Sequence, residues 1–394
     1  MQSHNILKMM FDLAFLTMAL ALVAQAAPRS ICETALHRNC DPAEAPSPPK
    51  PNSTLSWLDD SQAARQQPLD FVLDTPDINV MLATQTLAPW ALARLAQSPT
   101  LTGMDTATPT PTRAKSSDWS FEYDETWGAG VAVYIVDSGV AKHDELGNRL
   151  EAGRVIPSYD DGRGANVDVC NHGTGVASLV AGKTAGIARS ATIVPIRIAE
   201  EKTCGVGSTT NADVVAGVGL AIEDFKVRKP TTGVINISWS TVHTDTLAKA
   251  LEEAIGIGMH VVLSAGNDGA DLGPSGPDKQ RVKDVGQLVV GGVDWTDTRR
   301  MTSNYGDCIT LWAPGASLTF ASNAGPDAFR IDSGSSFAAP LVAGVVSALA
   351  DGHKTPAQMR DLIVSSHTAA VGLKDIRGSP DRLLQSLIPS PKLQ

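Results

Sequence analysis

Apolar runs of strand length recur along the chain from residue 119 onward, separated by longer stretches with helical spacing. These runs cover residues 131–136, 193–198, 234–237, 261–263 and 288–290. Helical spacing of apolar residues marks the stretches 211–225 and 247–257 between them. Strands that are apolar nearly throughout are typical of a parallel sheet covered on both faces. The pattern predicts an α/β domain over residues 118–375, with helices on both sides of a mostly parallel central sheet.

Two stretches before this domain have the composition of linkers. Residues 41–54 are rich in Pro, Ser and Ala, and residues 106–117 read TATPTPTRAKSS. Between them, residues 89–96 have a helix-like pattern. Residues 376–394 are expected to form a C-terminal tail.

The first 26 residues are typical of a secretory signal peptide. Residues 15–24 form a largely apolar run, and residues 24–26 (AQA) supply the small side chains that signal peptidase requires. The run is short for a membrane span. Asp12 and the weakly basic start leave an uncleaved anchor as the alternative. We expect a secreted, extracellular protein with no membrane attachment after cleavage.

Composition narrows the class of protein further. The chain is 43% hydrophobic and 19% charged, as in globular proteins, and its net charge is -10. An acidic chain has no electrostatic basis for holding a polyphosphate, so nucleic acid is not an expected partner.

Export permits disulfides, and the chain has five cysteines: Cys32, Cys40, Cys170, Cys204 and Cys308. An odd count leaves at least one thiol free or paired between chains. None of the spacings indicates a zinc site. The sequon at Asn52 lies in a Pro-rich stretch and is a glycosylation candidate, whereas the sequon at Asn236 lies in a strand-like run and is expected to be buried.

Three segments carry candidate chemistry. Asp137 follows the apolar run 131–136, and sites in open α/β sheets form beyond the carboxyl ends of strands. His172 begins a small-residue segment, HGTGVASLVAG, and Ser336 lies in GSSFAAP at the start of an apolar helical run. A hydroxyl in that first turn lies at the positive end of the helix dipole. Taken singly, each residue also fits a turn or a helix cap.

Together, the three segments resemble the signature segments of the subtilisin-like serine proteases, in the same order of Asp, His and Ser. A fourth segment, residues 261–269 (VVLSAGNDG), is similar to the oxyanion segment of that family. The resemblance covers residues 118–367. It implies the three-layer subtilisin-like fold, a catalytic triad of Asp137, His172 and Ser336, and Asn267 as an oxyanion donor.

The family resemblance also implies an activity: serine endopeptidase hydrolysis of polypeptide substrates through an acyl-enzyme intermediate. This chemistry requires no cofactor and no catalytic metal. Structural calcium is common in the family, but no ligands can be matched here. A removable propeptide is expected over residues 27–117, cleaved near 106–117, and the mature protein is expected to be a monomer.

Further residue roles follow only from the resemblance. Residues 234–240 (VINISWS) resemble the strand along which family members lay an extended substrate. The implied substrate-binding residues are Ser238, Trp239, Ser240, Ala265 and Gly266. Cys170 and Cys204 resemble a disulfide pair that some members have.

The chain departs from the family pattern at three positions. Members usually carry a second His where Gly175 stands, Thr where Ser335 stands and Gly where Ser240 stands. The first two changes remove no catalytic group. A side chain at 240 would narrow the pocket rim, which predicts a preference for smaller apolar residues before the cleaved bond.

Three alternatives remain at this point. A secreted binding protein could use the same scaffold without catalysis. A sedolisin-type acid peptidase would use Glu and Asp in place of His and Asn, and would lack a neutral-to-alkaline activity maximum. A lipase or esterase would carry Gly-x-Ser-x-Gly, but Ala338 occupies the last position of that pattern.

Overall fold

The computed structural model of the chain describes residues 82–96, 119–201, 204, 209–239, 244–273 and 284–385. Several sequence predictions lie outside these residues: the signal peptide, the linkers, Cys32, Cys40, Asn52 and Ser240.

The strands are β1 (Leu82–Thr86), β2 (Ser120–Asp124), β3 (Val131–Asp137), β4 (Arg154–Val155), β5 (Thr192–Arg197), β6 (Thr232–Ile237), β7 (His260–Ser264), β8 (Leu288–Val293), β9 (Leu311–Pro314), β10 (Leu318–Ala321), β11 (Phe329–Asp332), β12 (Thr368–Ala369) and β13 (Leu383–Leu384). The helices are α1 (Trp90–Ala96), α2 (Gly173–Ala181), α3 (Asn211–Arg228), α4 (Asp245–Gly256), α5 (Ser335–Leu349) and α6 (Pro356–Ser366).

A nine-stranded sheet in the order β12-β13-β9-β8-β7-β6-β3-β5-β4 forms the middle layer. Its neighbouring strands pair in parallel, except β12 and β13, which are antiparallel. The chain leaves β3 to build β5 on one side and later returns to build β6 on the other. The strand order therefore reverses at β3, which opens a crevice at its carboxyl end.

Alternate residues of β3 enter two different cores. Val131, Val133 and Ile135 pack in a core with the apolar side chains of α2 and α5. The residues between them pack in a second core with the side chains of α3 and α4. Because side chains alternate across a strand, helices cover both faces of the sheet. The predicted three-layer α/β fold is confirmed.

Local signals fix where the outer helices begin. The Thr210 hydroxyl accepts from the backbone N–H of Asp213, whose carboxylate accepts from the Thr210 N–H. Thr244 caps α4 by accepting from the N–H of Leu247. Such caps satisfy backbone donors that a helix start leaves unpaired. On the inner face, Pro340 lies in the second turn of α5. It cannot donate to the carbonyl of Ser336, four residues earlier.

The segment 82–96 is part of the same packed unit, although it falls inside the range predicted as propeptide. Strand β1 pairs antiparallel with β2. All seven residues of α1 are buried. The Arg94 guanidinium donates to both carboxylate oxygens of Asp297, at 2.9 and 3.0 Å. Residues 82–96 therefore lie within one compact unit, Asp74–Gln394, together with the sheet.

The sheet also extends past residue 375, where the tail was expected to begin. Leu383 of β13 pairs in parallel with Trp312 of β9. Separately, β10 and β11 form a two-stranded antiparallel hairpin whose second strand leads into α5. This hairpin places Phe320 against Phe337, near the start of that helix.

Candidate active site

The carboxyl end of β3 holds the first candidate group. Asp137 is the last residue of β3 and is fully buried. His172 immediately precedes α2, so its ring is presented at the start of that helix. The Nδ1 atom of His172 lies 2.8 Å from Oδ1 and 3.0 Å from Oδ2 of Asp137. The backbone N–H of Ser138 also donates to Oδ1, at 2.7 Å. The carboxylate thus holds the imidazole by one nitrogen and leaves Nε2 for other chemistry.

A second buried carboxylate, Asp168, fixes the segment that carries the histidine. It accepts from the backbone N–H groups of His172 at 3.2 Å and Thr174 at 2.8 Å. Its Oδ1 also accepts from the Ser138 hydroxyl at 2.6 Å. The sequence carries no capping signal for this residue, because Asp168 lies four residues before His172, which occupies the N-cap position of α2. Asp168 ties the start of α2 to the end of β3.

The close approach of α2 to β3 requires a glycine at 173. A Cβ at this position would lie 2.1 Å from the carbonyl oxygen of Gly139 and 3.2 Å from Oδ1 of Asp137. Any larger side chain would push the histidine away from its carboxylate. The glycine directly after His172 is therefore explained by the packing of α2 against the end of β3.

Opposing influences set the pKa of His172. Burial lowers it, but the charge and hydrogen bond of Asp137 raise it, and the charge of Asp168 raises it further. The Arg330 guanidinium opposes them by lowering it. The net pKa is raised above the ordinary value of 6.5.

Ser336 lies in the first turn of α5 and is 8% exposed. The next residue, Phe337, contacts the His172 ring, with ring centroids 5.1 Å apart. The start of α5 therefore packs against the His172 ring through the residue that follows Ser336. In the described part of the chain, however, the hydrogen bonds of the His172 ring are those to Asp137, and none joins Ser336 Oγ to the ring.

Asn267 follows β7 and faces the same helix start. Its Oδ1 accepts from the backbone N–H of Ser335 at 3.0 Å and from Arg300 Nη1 at 3.3 Å. Because this atom accepts two hydrogen bonds, it is the amide oxygen, and Nδ2 is left to donate elsewhere. A Cβ on Gly334 would lie 3.7 Å from Nδ2. The amide N–H groups of Asn267 therefore face the backbone just before Ser336.

The Ser335 side chain joins this loop to α5. Its hydroxyl accepts from the N–H of Gly266 at 3.1 Å and lies 3.0 Å from the Gly266 carbonyl oxygen. Where family members usually carry Thr, the smaller Ser335 thus keeps a hydroxyl that links the Asn267 loop to the helix. Both backbone groups of Gly266 are engaged within the protein.

Of the other predicted substrate-binding residues, Trp239 contacts the His172 ring edge-on, with centroids 5.9 Å apart. Ser238 is buried and accepts from Asn236 Nδ2 at 2.8 Å. Asn236 is itself buried, as expected for that sequon. Ala265 is buried and follows directly after β7. Trp239 therefore lies beside the catalytic candidates, whereas Ser238 supports the strand end from within.

A disulfide joins Cys170, two residues before His172, to Cys204, with Cα atoms 5.2 Å apart. It closes a loop with a sequence separation of 34 residues. Cys308 lies elsewhere, with its Sγ 2.9 Å from the carbonyl oxygen of Leu272. The disulfide restrains the chain directly before the candidate histidine.

The described residues contain no group of three His, Cys, Asp or Glu side chains that could hold a metal ion. Structural calcium therefore stays without assigned ligands. None of the helices in the described ranges has the length and apolar composition that a bilayer span requires.

A three-layer α/β fold with an Asp–His pair, a serine at a helix start and a facing amide is typical of serine peptidases. The model of the subtilase family matches residues 128–381. The chain belongs to the subtilase family, and it is a serine-type endopeptidase that acts on polypeptides.

Known proteins agree with this assignment. The chain is 32% identical over 301 residues to subtilisin-like protease 1 of Pseudogymnoascus destructans, covering 76% of this chain and 67% of that protein. It is 32% identical to the subtilase-type proteinase psp3 of Schizosaccharomyces pombe, covering 74% of this chain and 59% of that protein. The crystal structure of a cold-adapted subtilisin-like serine proteinase matches with a TM-score of 0.62 and 30% identity, covering 76% of this chain and 98% of that one.

Proposed function

We propose that the protein is a secreted endopeptidase in which Asp137, His172 and Ser336 form the catalytic triad. The observation that carries the proposal is the hydrogen bond between Asp137 and His172 Nδ1 at 2.8 Å, beside a serine in the first turn of a helix. A carboxylate on Nδ1 fixes the tautomer in which Nε2 is free to accept a proton.

In the proposed reaction, His172 Nε2 takes the proton of Ser336 Oγ as the oxygen attacks the substrate carbonyl carbon. Asp137 stabilises the imidazolium that forms. The imidazolium then donates its proton to the leaving amine, which breaks the peptide bond and leaves an acyl-enzyme. His172 then deprotonates a water that attacks the acyl carbon. The bond to Ser336 Oγ breaks, the imidazolium returns its proton to that oxygen, and the acid product leaves. A rotation of the Ser336 side chain toward the ring would form the hydrogen bond between Ser336 Oγ and His172 Nε2 before attack.

Asn267 Nδ2 and the backbone N–H of Ser336 are the proposed oxyanion donors. The Asn267 amide is already fixed by Ser335 and Arg300, so little reorganisation is needed when charge develops on the substrate oxygen. Replacing Asn267 by Ala is expected to lower kcat by about 10²–10³-fold, the magnitude that losing such a donor has in subtilisin itself.

Hydrolysis of a generic protein substrate by secreted wild type, Ser336→Ala and Asn267→Ala tests the proposal. We expect Ser336→Ala to lose activity by about 10⁶-fold and Asn267→Ala to keep a measurable rate. The maximum should fall at neutral to alkaline pH, because His172 must be unprotonated to act. Full activity in Ser336→Ala would contradict the proposed nucleophile.

We further propose that any propeptide ends upstream of Leu82. The helix α1 is buried and its Arg94 is paired with Asp297, so residues 82–96 are part of the folded domain. Cleavage near 106–117 would separate this segment from the chain that it packs against. N-terminal sequencing of the mature monomer from culture medium should therefore find a start before Leu82. A start within 106–117, with the upstream segment absent, would contradict this.

A further inference from the structure

The space beside Gly175 is filled by an aromatic ring. Gly175 lies in the first turn of α2, where family members usually carry a second histidine. A Cβ at this position would lie 2.5 Å from Cδ2 and 2.6 Å from Cε2 of Phe320. Phe320 belongs to β10 and is fully buried. Because no side chain fits between α2 and this ring, Gly175 and Phe320 form a matched pair of small and large residues.

The Phe320 ring is the far end of a stack that reaches the catalytic histidine. Its centroid lies 4.3 Å from that of Phe337, with 28° between the planes. The Phe337 centroid lies 5.1 Å from that of His172. Phe337 also follows Ser336 directly in α5. A displacement of Phe320 would therefore free Phe337 to move, and with it the surface against which the imidazole rests.

The ring is held from its surroundings as well. The Arg330 guanidinium lies 5.5 Å from the Phe320 centroid, and its Nη1 donates to the carbonyl oxygen of Asn171 at 2.8 Å. The Ser178 hydroxyl donates to the Gly175 carbonyl at 2.8 Å and accepts from the N–H of Ala321 at 3.1 Å. The Ser178–Ala321 bond ties β10 to α2, and the Arg330 bond ties β11 to the segment before α2. These contacts hold the Phe320 ring in one position, as is required of a residue that positions another.

We propose that Phe320, in the space that Gly175 leaves, is a positioning residue that holds His172 in line through Phe337. The inference rests on the proposed triad and deepens it. Phe320 touches neither substrate nor reacting atoms. Its effect is on the geometry of proton transfer, so its loss lowers kcat and leaves KM nearly unchanged.

The test compares Phe320→Ala with Phe121→Ala. Phe121 is a matched control: it is fully buried, it stacks on Tyr123 with centroids 6.2 Å apart, and Arg189 lies 6.0 Å from its centroid. Both variants should lower Tm. Phe320→Ala alone should lower kcat by about 10–100-fold, with KM within about two-fold, because misplacement near 1 Å has costs of this order. Unchanged kcat in Phe320→Ala, or an equal fall in both variants, would overturn the proposal.

A double-mutant cycle gives the second readout. Gly175→Ala should itself lower kcat, because its Cβ displaces the ring. In Phe320→Ala the ring is absent, so adding Gly175→Ala should cost at most about two-fold more. Multiplicative losses would overturn the pairing. If Phe320→Ala does not fold, Phe320→Leu replaces it in both experiments with the same expected direction.

Failure of the triad itself is distinguishable from failure of this inference. Wild type must react with a fluorophosphonate probe and Ser336→Ala must not. If that pattern is absent, the proposed function fails; if it is present and Phe320→Ala keeps its kcat, only the positioning role fails.

Discussion

At the scale of single residues, charge around His172 decides the pH at which the enzyme works. Two carboxylates, Asp137 and Asp168, raise the pKa of the imidazole against its burial, and Arg330 lowers it. The net direction is upward, so activity should be lost as pH falls through a value above 6.5. Arg330 keeps this loss at lower pH than it would otherwise be.

Replacing Arg330 by Gln should move the acid limb of kcat/KM to higher pH. The guanidinium lowers the pKa of His172, so its removal raises that pKa and protonates the base at higher pH. Arg330→Lys retains the positive charge and is the control, expected to keep the acid limb near the wild-type position. Profiles of kcat/KM for the three proteins measure this. A limb that moves to lower pH in Arg330→Gln would contradict the electrostatic account.

Arg300 is the second residue whose role can be isolated. It donates to Asn267 Oδ1 at 3.3 Å, so it helps hold the amide with Nδ2 toward the proposed oxyanion position. Arg300→Met should lower kcat about 5–50-fold, in line with partial loss of one preorganised donor. The same substitution in an Asn267→Ala background should cost far less. Equal losses in both backgrounds would show that Arg300 acts elsewhere.

Motifs in the sequence could identify Asp137, His172, Ser336 and Asn267 as candidates because each sits at the end of a strand or the start of a helix. Asp168, Arg300 and Phe320 could not be identified in this way. Asn267 and Arg300 meet only through the fold, and Phe320 meets Gly175 across two elements distant in sequence. Local patterns carry no signal for such contacts.

At the scale of elements, most strands of the central sheet could be predicted from the sequence, because buried parallel strands are continuous apolar runs. The structure extends the helix expected over 211–225 to Arg228 and the strand expected over 288–290 to Val293. Strand β9 was missed because it is four residues long and ends in Pro314. The β10–β11 hairpin was missed because β11 is partly exposed and mixes charged and apolar residues.

The buried ion pair between α1 and the loop after β8 should dominate the stability of the N-terminal segment. Arg94 and Asp297 are 0% and 4% exposed in their side chains. Arg94→Met leaves a carboxylate buried without its cation, which should cost about 3–5 kcal/mol in the free energy of unfolding. Arg163→Met is the control, because Arg163 pairs with Asp161 at 44% and 35% exposure and should cost at most about 1 kcal/mol. Denaturant unfolding measures both. Equal costs would contradict the account.

The Cys170–Cys204 disulfide gives a second element-scale prediction. A closed loop of this length stabilises the fold by about 3–4 kcal/mol in the chain-entropy treatment. The double variant Cys170→Ser/Cys204→Ser should lose about that much and should also lose kcat, because the loop leads directly to His172. Thermal unfolding and kinetics measure the two effects. Stability equal to that of wild type would contradict a structural role for the disulfide.

At the scale of the whole molecule, a buried histidine at the start of β7 links folding to pH. Burial lowers the pKa of His260 to about 4, from 6.5. Between pH 6.5 and pH 4, His260 is therefore protonated in the unfolded chain and neutral in the folded protein. The contribution of His260 to the free energy of unfolding is fully present above pH 6.5. About 3 kcal/mol of it is lost as the pH falls toward 4.

Replacing His260 by Phe should flatten the loss of stability between pH 6.5 and 4. The buried neighbour Met259 carries no titratable group, and Met259→Leu is the control, expected to keep the wild-type acid dependence. Denaturant unfolding at several pH values gives the slope for each protein. An acid dependence that is unchanged in His260→Phe would show that other groups govern it.

The proposed catalysis requires above all that Ser336 is the nucleophile and that His172 activates it. The most direct measurement is the location of a fluorophosphonate adduct by peptide mass spectrometry, in wild type and in His172→Ala. We expect a single adduct on Ser336 in wild type, and labelling slowed by orders of magnitude in His172→Ala. An adduct on another residue, or labelling of Ser336 at an equal rate without His172, would contradict the proposed mechanism.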